Sequence, residues 1–231
     1  MNPPIECAIV DGVACVVMND GKVNAMTFDM LDALTDAVGR AREAGAMLVI
    51  RSGSAKAFSA GFDMRVLGSG NLDAARRMLT AGARLLIDLL NHPSPVVAIC
   101  AGHAYPMGAF LLLASDIRIG VDGEYRVGLN EVAIGIPVPD FALALAKSRV
   151  PANQLARVTT LGQMLTPAEA CEAGFLDQLV APSDVELTVE RWKKELKSIN
   201  HAAHASTKRR LRAELIAEIE RSIEGEILPQ Y

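Results

Sequence analysis

Aromatic side chains are scarce, at 4 % of the 231 residues with a single tryptophan, so a core must be built from Ala, Val, Leu, Ile and Met. Long basic tracts are also missing. The 23 Lys and Arg are outnumbered by 27 Asp and Glu, for a net charge of −4, which argues against nucleic acid as a partner because phosphate neutralisation needs clustered cations. The nearest cluster is Lys208-Arg209-Arg210 with Arg212. It reads as a solvated helix face or a contact between subunits before it reads as a site for an anionic ligand. Cys7, Cys15, Cys100 and Cys171 are scattered through apolar runs with no C-x-x-C and no histidine at metal spacing. They read as buried reduced thiols, and no metal site is expected. Neither G-x-S-x-G nor G-x-G-x-x-G occurs, which removes the usual marks of a serine hydrolase and of a dinucleotide site. The N-terminus has no basic n-region followed by an apolar h-region, so a cytoplasmic protein is expected. The nearly charge-free stretch 96–115 is interrupted by Gly102, Pro106 and Gly108, and reads as strand, turn and core helix rather than a membrane span.

What remains is half apolar (51 %) and one-fifth charged (22 %), enough for one sizeable domain. Asp11-Gly12 between two β-rich runs, 5–10 and 13–18, predicts a hairpin. Thr27 is a plausible N-cap for a helix reaching about Ala44, with Gly45 as its stop. Strands are expected at 47–50, 96–100, 116–120 and 124–127, and helices at 73–90 and 106–114. This alternation argues an α/β architecture with a mostly parallel sheet. Thr166-Pro167-Ala168-Glu169 is a capping box. Extended chain is expected over 175–180, and then two helices, from about 183 to 199 and from about 206 to 223. The last presents an apolar stripe of Leu211, Leu215, Ile219 and Ile223 that the core or a neighbouring subunit must cover. The organisation predicted is a core over 1–180 and a helical region over 181–231.

Three segments carry candidate chemistry. Ala57-Phe58-Ser59-Ala60-Gly61-Phe62-Asp63-Met64 is a small-residue turn whose N–H groups can make a nest for developing negative charge, with Asp63 expected to cap or bond locally. Gly102 to Gly108 opens a helix, and the Met107 N–H is a candidate donor because Pro106 has none. His103, flanked by Gly and Ala, reads as a core or loop histidine. Glu131 follows Asn130 and precedes an apolar run. It fits either a base of raised pKa or a solvent-exposed glutamate at a helix terminus, and spacing alone leaves both open. Asp116 reads as structural, capping the helix or fixing a strand start. Two N–H-rich turns and one acid are the parts needed to remove a proton from carbon next to a carbonyl.

Taken in order, 57–64, 96–116, 125–137 and 165–180 resemble the crotonase (enoyl-CoA hydratase/isomerase) superfamily over nearly the whole chain. The resemblance implies a spiral of ββα units, a helical C-terminal trimerisation region, and a homotrimer or hexamer. It implies an acyl-CoA thioester substrate, with coenzyme A entering as part of the substrate and no separate cofactor. The oxyanion donors would be the N–H groups of Phe62 and Met107. Adenine and pantetheine contacts would fall on Lys22, Val23, Ala25, Ala60, Gly61, Asp63 and Met64. Hydratases of the family carry two glutamates, whereas here Phe110 holds the first one's place and Glu131 the second's. Gly128-Leu129-Asn130-Glu131 is similar to the Δ3,Δ2-enoyl-CoA isomerase branch, which works with one glutamate. The resemblance thus implies an isomerase with Glu131 as proton shuttle. A hydratase or another crotonase reaction is the alternative, and a catalytically idle acyl-CoA-binding oligomer is a third. Phe62 and Met107 stand where smaller residues are common and narrow the pocket.

Overall fold

Asp11 and Gly12, both at positive φ (50° and 74°), turn the chain between β1 (Ile5–Val10) and β2 (Val13–Met18). This local conformation matches the right-handed twist of the strands, and the two pair antiparallel from Ile5↔Met18 to Val10↔Val13. In the computed structural model, which describes residues 3–54, 56–225 and 227, α1 (Phe28–Glu43) follows. Thr27 caps it by accepting from the Met30 N–H at 3.2 Å, and Gly45, at φ 61°, follows its end. Met30, Leu31, Leu34, Ala37, Val38 and Ala41 form its buried face at helical spacing.

The chain then winds as repeated strand–strand–helix turns. β3 (Met47–Ser52) joins β2 in parallel, and β4 (Ala57–Ser59) leaves for a second sheet before α2 (Met64–Leu67) and α3 (Leu72–Leu90). β5 (Val96–Cys100) returns beside β3, and β6 (His103–Ala104) pairs in parallel with β4, leading into α4 (Pro106–Ala114). β7 (Ile117–Val121) lies beside β5. After α5 (Asp140–Arg149), α6 (Ala152–Val158) and α7 (Pro167–Glu172), β8 (Gln178–Val180) closes a six-stranded sheet of order β1-β2-β3-β5-β7-β8. The Thr166–Glu169 capping box is formed in both directions.

The central strands of the sheet are buried on both faces, and their residues alternate between two cores. Leu48, Ile50 and Ala98 face the main core with α1, α3 and α4. Met47, Val49, Val97 and Ile99 face a second core covered by Val185 and Val189 of α8 (Val185–Lys197). Among the described residues no helix is long and apolar enough to cross a membrane, and the stretch 96–115 is divided into β5, β6 and α4.

Three expectations are corrected. Residues 124–127 are not a strand; Val127 makes only isolated bridges to Ala104 and Leu165, and the Tyr125 hydroxyl donates to the Cys100 carbonyl at 3.1 Å. Of the cysteines, Cys100 is buried but Cys7, Cys15 and Cys171 are half-buried, all four as free thiols. The last helix, α9 (His201–Glu224), starts before residue 206, with Asn200 as its cap accepting from the Ala203 N–H at 2.9 Å. Of its expected apolar stripe, Ile219 is buried and Leu215 and Ile223 pack against the core, but Leu211 is 81 % exposed, and Lys208, Arg212 and Ile216 complete the buried face. The physical reason is charge. α9 crosses the C-terminal ends of α3 and α4, where carbonyls are unsatisfied and the helix dipole is negative. Arg212 donates to the Leu90 and Ala114 carbonyls and to Asp116 Oδ1 (2.7 Å), and Lys208 donates to Asp116 Oδ2 at 2.6 Å. Those bonds turn the cationic edge inward and Leu211 outward. Only Arg209 and Arg210 of the basic cluster are exposed. Asp116 also accepts from the Val96 N–H at 2.8 Å and so fixes the start of β5.

Candidate active site

The loop before α1 is tied to β4 by one buried residue. Asn24 is at φ 53°, and its amide donates to Ser52 Oγ at 2.8 Å and to the Phe58 carbonyl at 3.2 Å. Ser59 Oγ returns a bond to the Asn24 carbonyl at 2.7 Å and accepts from the Gly61 N–H at 3.2 Å. The Ala60 N–H donates to the Val23 carbonyl (2.9 Å) and the Asp63 N–H to the Met26 carbonyl (3.3 Å). Every N–H from Ala60 to Asp63 is thereby used except that of Phe62, which has no acceptor among the described residues.

The second turn arrives beside it. Tyr105 donates its N–H to the Ser59 carbonyl at 3.0 Å, and α4 begins at Pro106. A Cβ on Gly108 would stand 2.9 Å from both the Cβ and the carbonyl oxygen of Ser59, so only glycine lets α4 come this close to β4. A Cβ on Gly61, itself at φ 86°, would lie 3.7 Å from the Met107 nitrogen. The Met107 N–H, in the first turn of α4, likewise has no acceptor among the described residues. Two free donors, one at the positive end of a helix, thus stand on adjoining turns.

Glu131 enters the same space from a third segment. The chain at 127–128 is pinned to β6, through the Val127 bridge to Ala104 and a bond from the Gly128 N–H to the Ala104 carbonyl (3.1 Å). A single 3₁₀ turn (Val132–Ile134) follows, and the Glu131 carbonyl accepts from Ile134 and Ile136. Its carboxyl is left pointing away from water. The residue is 6 % exposed, and neither carboxyl oxygen has a partner among the described residues. Burial pushes its pKa up to about 7. Of the two readings the sequence left open, the buried one is the structure's. Ala60, Gly61, Phe62, Phe110 and Glu131 all line one cavity of about 490 Å³. Its walls are mainly apolar, and Phe110, which meets Phe141 edge-on at 5.9 Å, occupies a wall with no second acid among the described residues. Met107 itself is buried and does not line the cavity; its N–H lies on the turn adjoining Gly61, behind the wall that Phe62 and Gly61 form. A carboxylate titrating near neutrality in an apolar cleft walled by a turn with free N–H groups is equipped to move a proton on carbon and to hold the resulting oxyanion.

The other sequence candidates divide. Met64 lines the cavity rim. Asp63 does not; it caps α2, accepting from the Arg65 N–H at 2.9 Å, and its pairing with the Arg65 side chain holds its carboxyl below the usual range. Lys22, Val23 and Ala25 do not line the cavity; Lys22 and Val23 are exposed, and the Val23 carbonyl accepts from the N–H of Ala60, which does line it. His103 stacks on Tyr105 (5.6 Å) and its Nδ1 accepts from the Arg126 N–H, as a loop histidine does. Sequence reasoning missed Leu72, Arg76 and Leu79 of α3, which line the same cavity, and Asn24. The periodicity of α3 marks its core face but not the end of that face that opens on a cleft. A buried Asn in a loop leaves only the signal of an Asx turn beside Asp20-Gly21.

The profile of the enoyl-CoA hydratase/isomerase family matches residues 8–228. A probable enoyl-CoA hydratase of Mycobacterium tuberculosis is 30 % identical over 188 residues, 78 % of this chain and 69 % of that one. An enoyl-CoA hydratase/isomerase family protein from a Pseudomonas syringae crystal structure superposes with TM-score 0.93 at 34 % identity, covering 97 % of this chain and 98 % of the other. An apo structure described as an enoyl-CoA isomerase of M. tuberculosis superposes with TM-score 0.91 at 37 % identity, covering 97 % and 98 %.

Proposed function

The chain belongs to the enoyl-CoA hydratase/isomerase family, and on that footing we propose that it is an enoyl-CoA isomerase that converts 3-enoyl to 2-enoyl thioesters. The observation that carries this reading is the cavity with one acid. Among the described residues Glu131 is the one carboxylate that lines it, and Phe110 stands where a second acid would help to hold water. The thioester carbonyl oxygen accepts from the N–H groups of Phe62 and Met107. Glu131 takes a proton from C2, the electron pair delocalises as a dienolate onto the held oxygen, and the double bond re-forms between C2 and C3 as Glu131 returns the proton to C4. A base with a pKa near 7 suits both halves of this exchange, because it accepts and releases the proton at similar cost. Coenzyme A would lie along Ala60, Gly61 and Met64 toward Lys22, Val23, Ala25 and Asp63. No other cofactor is called for. We further propose a homotrimer or hexamer, with 181–231 as the helical region of contact, working in the cytoplasm.

The test is to add a trans-3-enoyl-CoA to the purified protein and follow the absorbance of the conjugated 2-enoyl thioester. The expected result is turnover that disappears in Glu131→Gln. No turnover, with acyl-CoA still binding, overturns the isomerase. A hydratase is the second reading, favoured by the description of the M. tuberculosis relative as a probable hydratase. It predicts loss of the conjugated absorbance when a 2-enoyl-CoA is supplied, with no gain when a 3-enoyl-CoA is supplied.

A further inference from the structure

The side chains of the two candidate oxyanion donors meet over one residue of α3. A Cβ built on Gly82 would lie 2.5 Å from Phe62 Cζ, 2.7 Å from Phe62 Cε1 and 3.4 Å from Met107 Sδ. Gly82 is buried in the middle of a nineteen-residue helix, where glycine is an unfavourable choice relative to alanine. Its φ is ordinary, so no backbone strain calls for glycine there. What does call for it is the tip of the Phe62 ring, which fills the space a side chain would take. The Phe62 ring and the Met107 thioether are both accommodated because α3 offers bare backbone between them.

We propose that Gly82 is a positioning residue for the oxyanion-holding pair, fixing the Phe62 ring and Met107 thioether and through them the aim of the two backbone N–H groups. This rests on the enolate reading of the site given above. An ordinary carbon–carbon contact is about 3.5–4.0 Å. A methyl group at 82 therefore drives the ring tip back by about 1 Å; misplacement of about 1 Å at the reacting groups costs on the order of 10²-fold in rate, which is the upper bound if the shift is passed in full to the two N–H groups.

The experiment is a kinetic cycle of Gly82→Ala and Phe62→Leu, with each G82A effect measured against its own background. Leucine lacks the ring atoms that a Cβ at 82 would strike. In the wild-type background, G82A is expected to lower kcat about 10- to 100-fold with KM changed less than about threefold. In the F62L background its effect on kcat is expected to be less than about threefold. An unchanged kcat in G82A, or an equal loss in both backgrounds, overturns the proposal. If G82A does not fold, Phe62→Tyr, which extends the ring tip toward the same glycine, must show the same loss of kcat with KM spared; normal kcat in F62Y refutes it.

A readout independent of turnover separates this idea from the isomerase assignment. Acetoacetyl-CoA bound in an oxyanion hole is drawn toward its enolate, which absorbs in the near ultraviolet. Wild type is expected to develop that band, G82A to weaken it, and G82A/F62L to match F62L. The band's behaviour judges Gly82 even where 3-enoyl-CoA is not the substrate, whereas absence of the band from wild type removes the oxyanion pair and the proposal together.

Discussion

Glu131 should make the protein less stable as it becomes competent to act as a base. Its folded pKa of about 7 stands above the ordinary 4.5 because burial penalises the charged form. The folded state therefore binds more protons than the unfolded chain between these two values, and stability falls as pH rises from about 4.5 through about 7. At about 1.4 kcal/mol per pKa unit, the penalty is under about 1 kcal/mol at pH of about 5 and roughly 3 kcal/mol at pH of about 8. The amide introduced by Glu131→Gln carries no charge to desolvate. It leaves polar atoms unpaired in the same cavity, but that cost does not vary with pH. The variant should thus gain about 2–3 kcal/mol on wild type between the two pH values, or roughly 5–10 °C in melting temperature for a chain of this size. Paired thermal melts of the two proteins at both pH values measure it. Over the same range kcat/KM of wild type should rise through about pH 7, since only the carboxylate accepts a proton. A melting difference between wild type and variant that does not change with pH refutes the burial of an ionising carboxyl at 131, and with it the base.

Asp116→Asn should cost about 3–5 kcal/mol, because it leaves the buried Lys208 and Arg212 without their carboxylate; a denaturant titration reads the loss. Gly39→Ala should stabilise by about 0.5–1 kcal/mol, since a Cβ there meets nothing within 4 Å and the site is mid-helix in α1; a higher melting temperature at unchanged kcat checks it. Phe110→Glu puts a second acid on the cavity wall beside Glu131. It should raise hydration of a 2-enoyl-CoA above the wild-type level, measured by loss of the conjugated absorbance, and no gain counts against the one-acid account.

Elements fixed by neighbouring residues were legible. Asp11-Gly12 can take positive φ twice and makes the hairpin, and Thr27 and Gly45 bound α1 by hydrogen bond and by left-handed conformation. The resemblance supplied the ββα order that these local signals could not. Where distant contacts decide, the sequence misled. Residues 124–127 are rich in strand-like side chains, yet the backbone there finds only single bridges on either side of Val127. Hydrophobic spacing points the stripe of α9 inward, as Leu215, Ile219 and Ile223 are, but the carbonyl ends of α3 and α4 and the Asp116 carboxylate draw Lys208 and Arg212 inward and leave Leu211 out. A cation is stable inside a domain only with such partners, and those partners lie about ninety or more positions away in the chain.

The candidate site was legible to the extent that its groups are side chains. Glu131 was visible as a lone acid in an apolar run, but its burial depends on the cavity walls of α3 and of the turn after it. The two donors are backbone groups, which every residue but proline possesses. What makes the Phe62 N–H special is that Val23, Met26 and Ser59 occupy the donors of its neighbours, so that one donor is left over. The trace that such an arrangement leaves in a sequence is small residues at close approaches. Gly61 turns the loop, Gly108 admits α4 to β4, and Gly82 receives the Phe62 ring. The first two lie inside the motifs that carry the resemblance, where Gly61 reads as a turn but Gly108 only as an interruption of the apolar stretch. Gly82 lies in a helix whose periodicity already accounts for it as a core position, so only the ring packed against it gives a reason for the missing side chain.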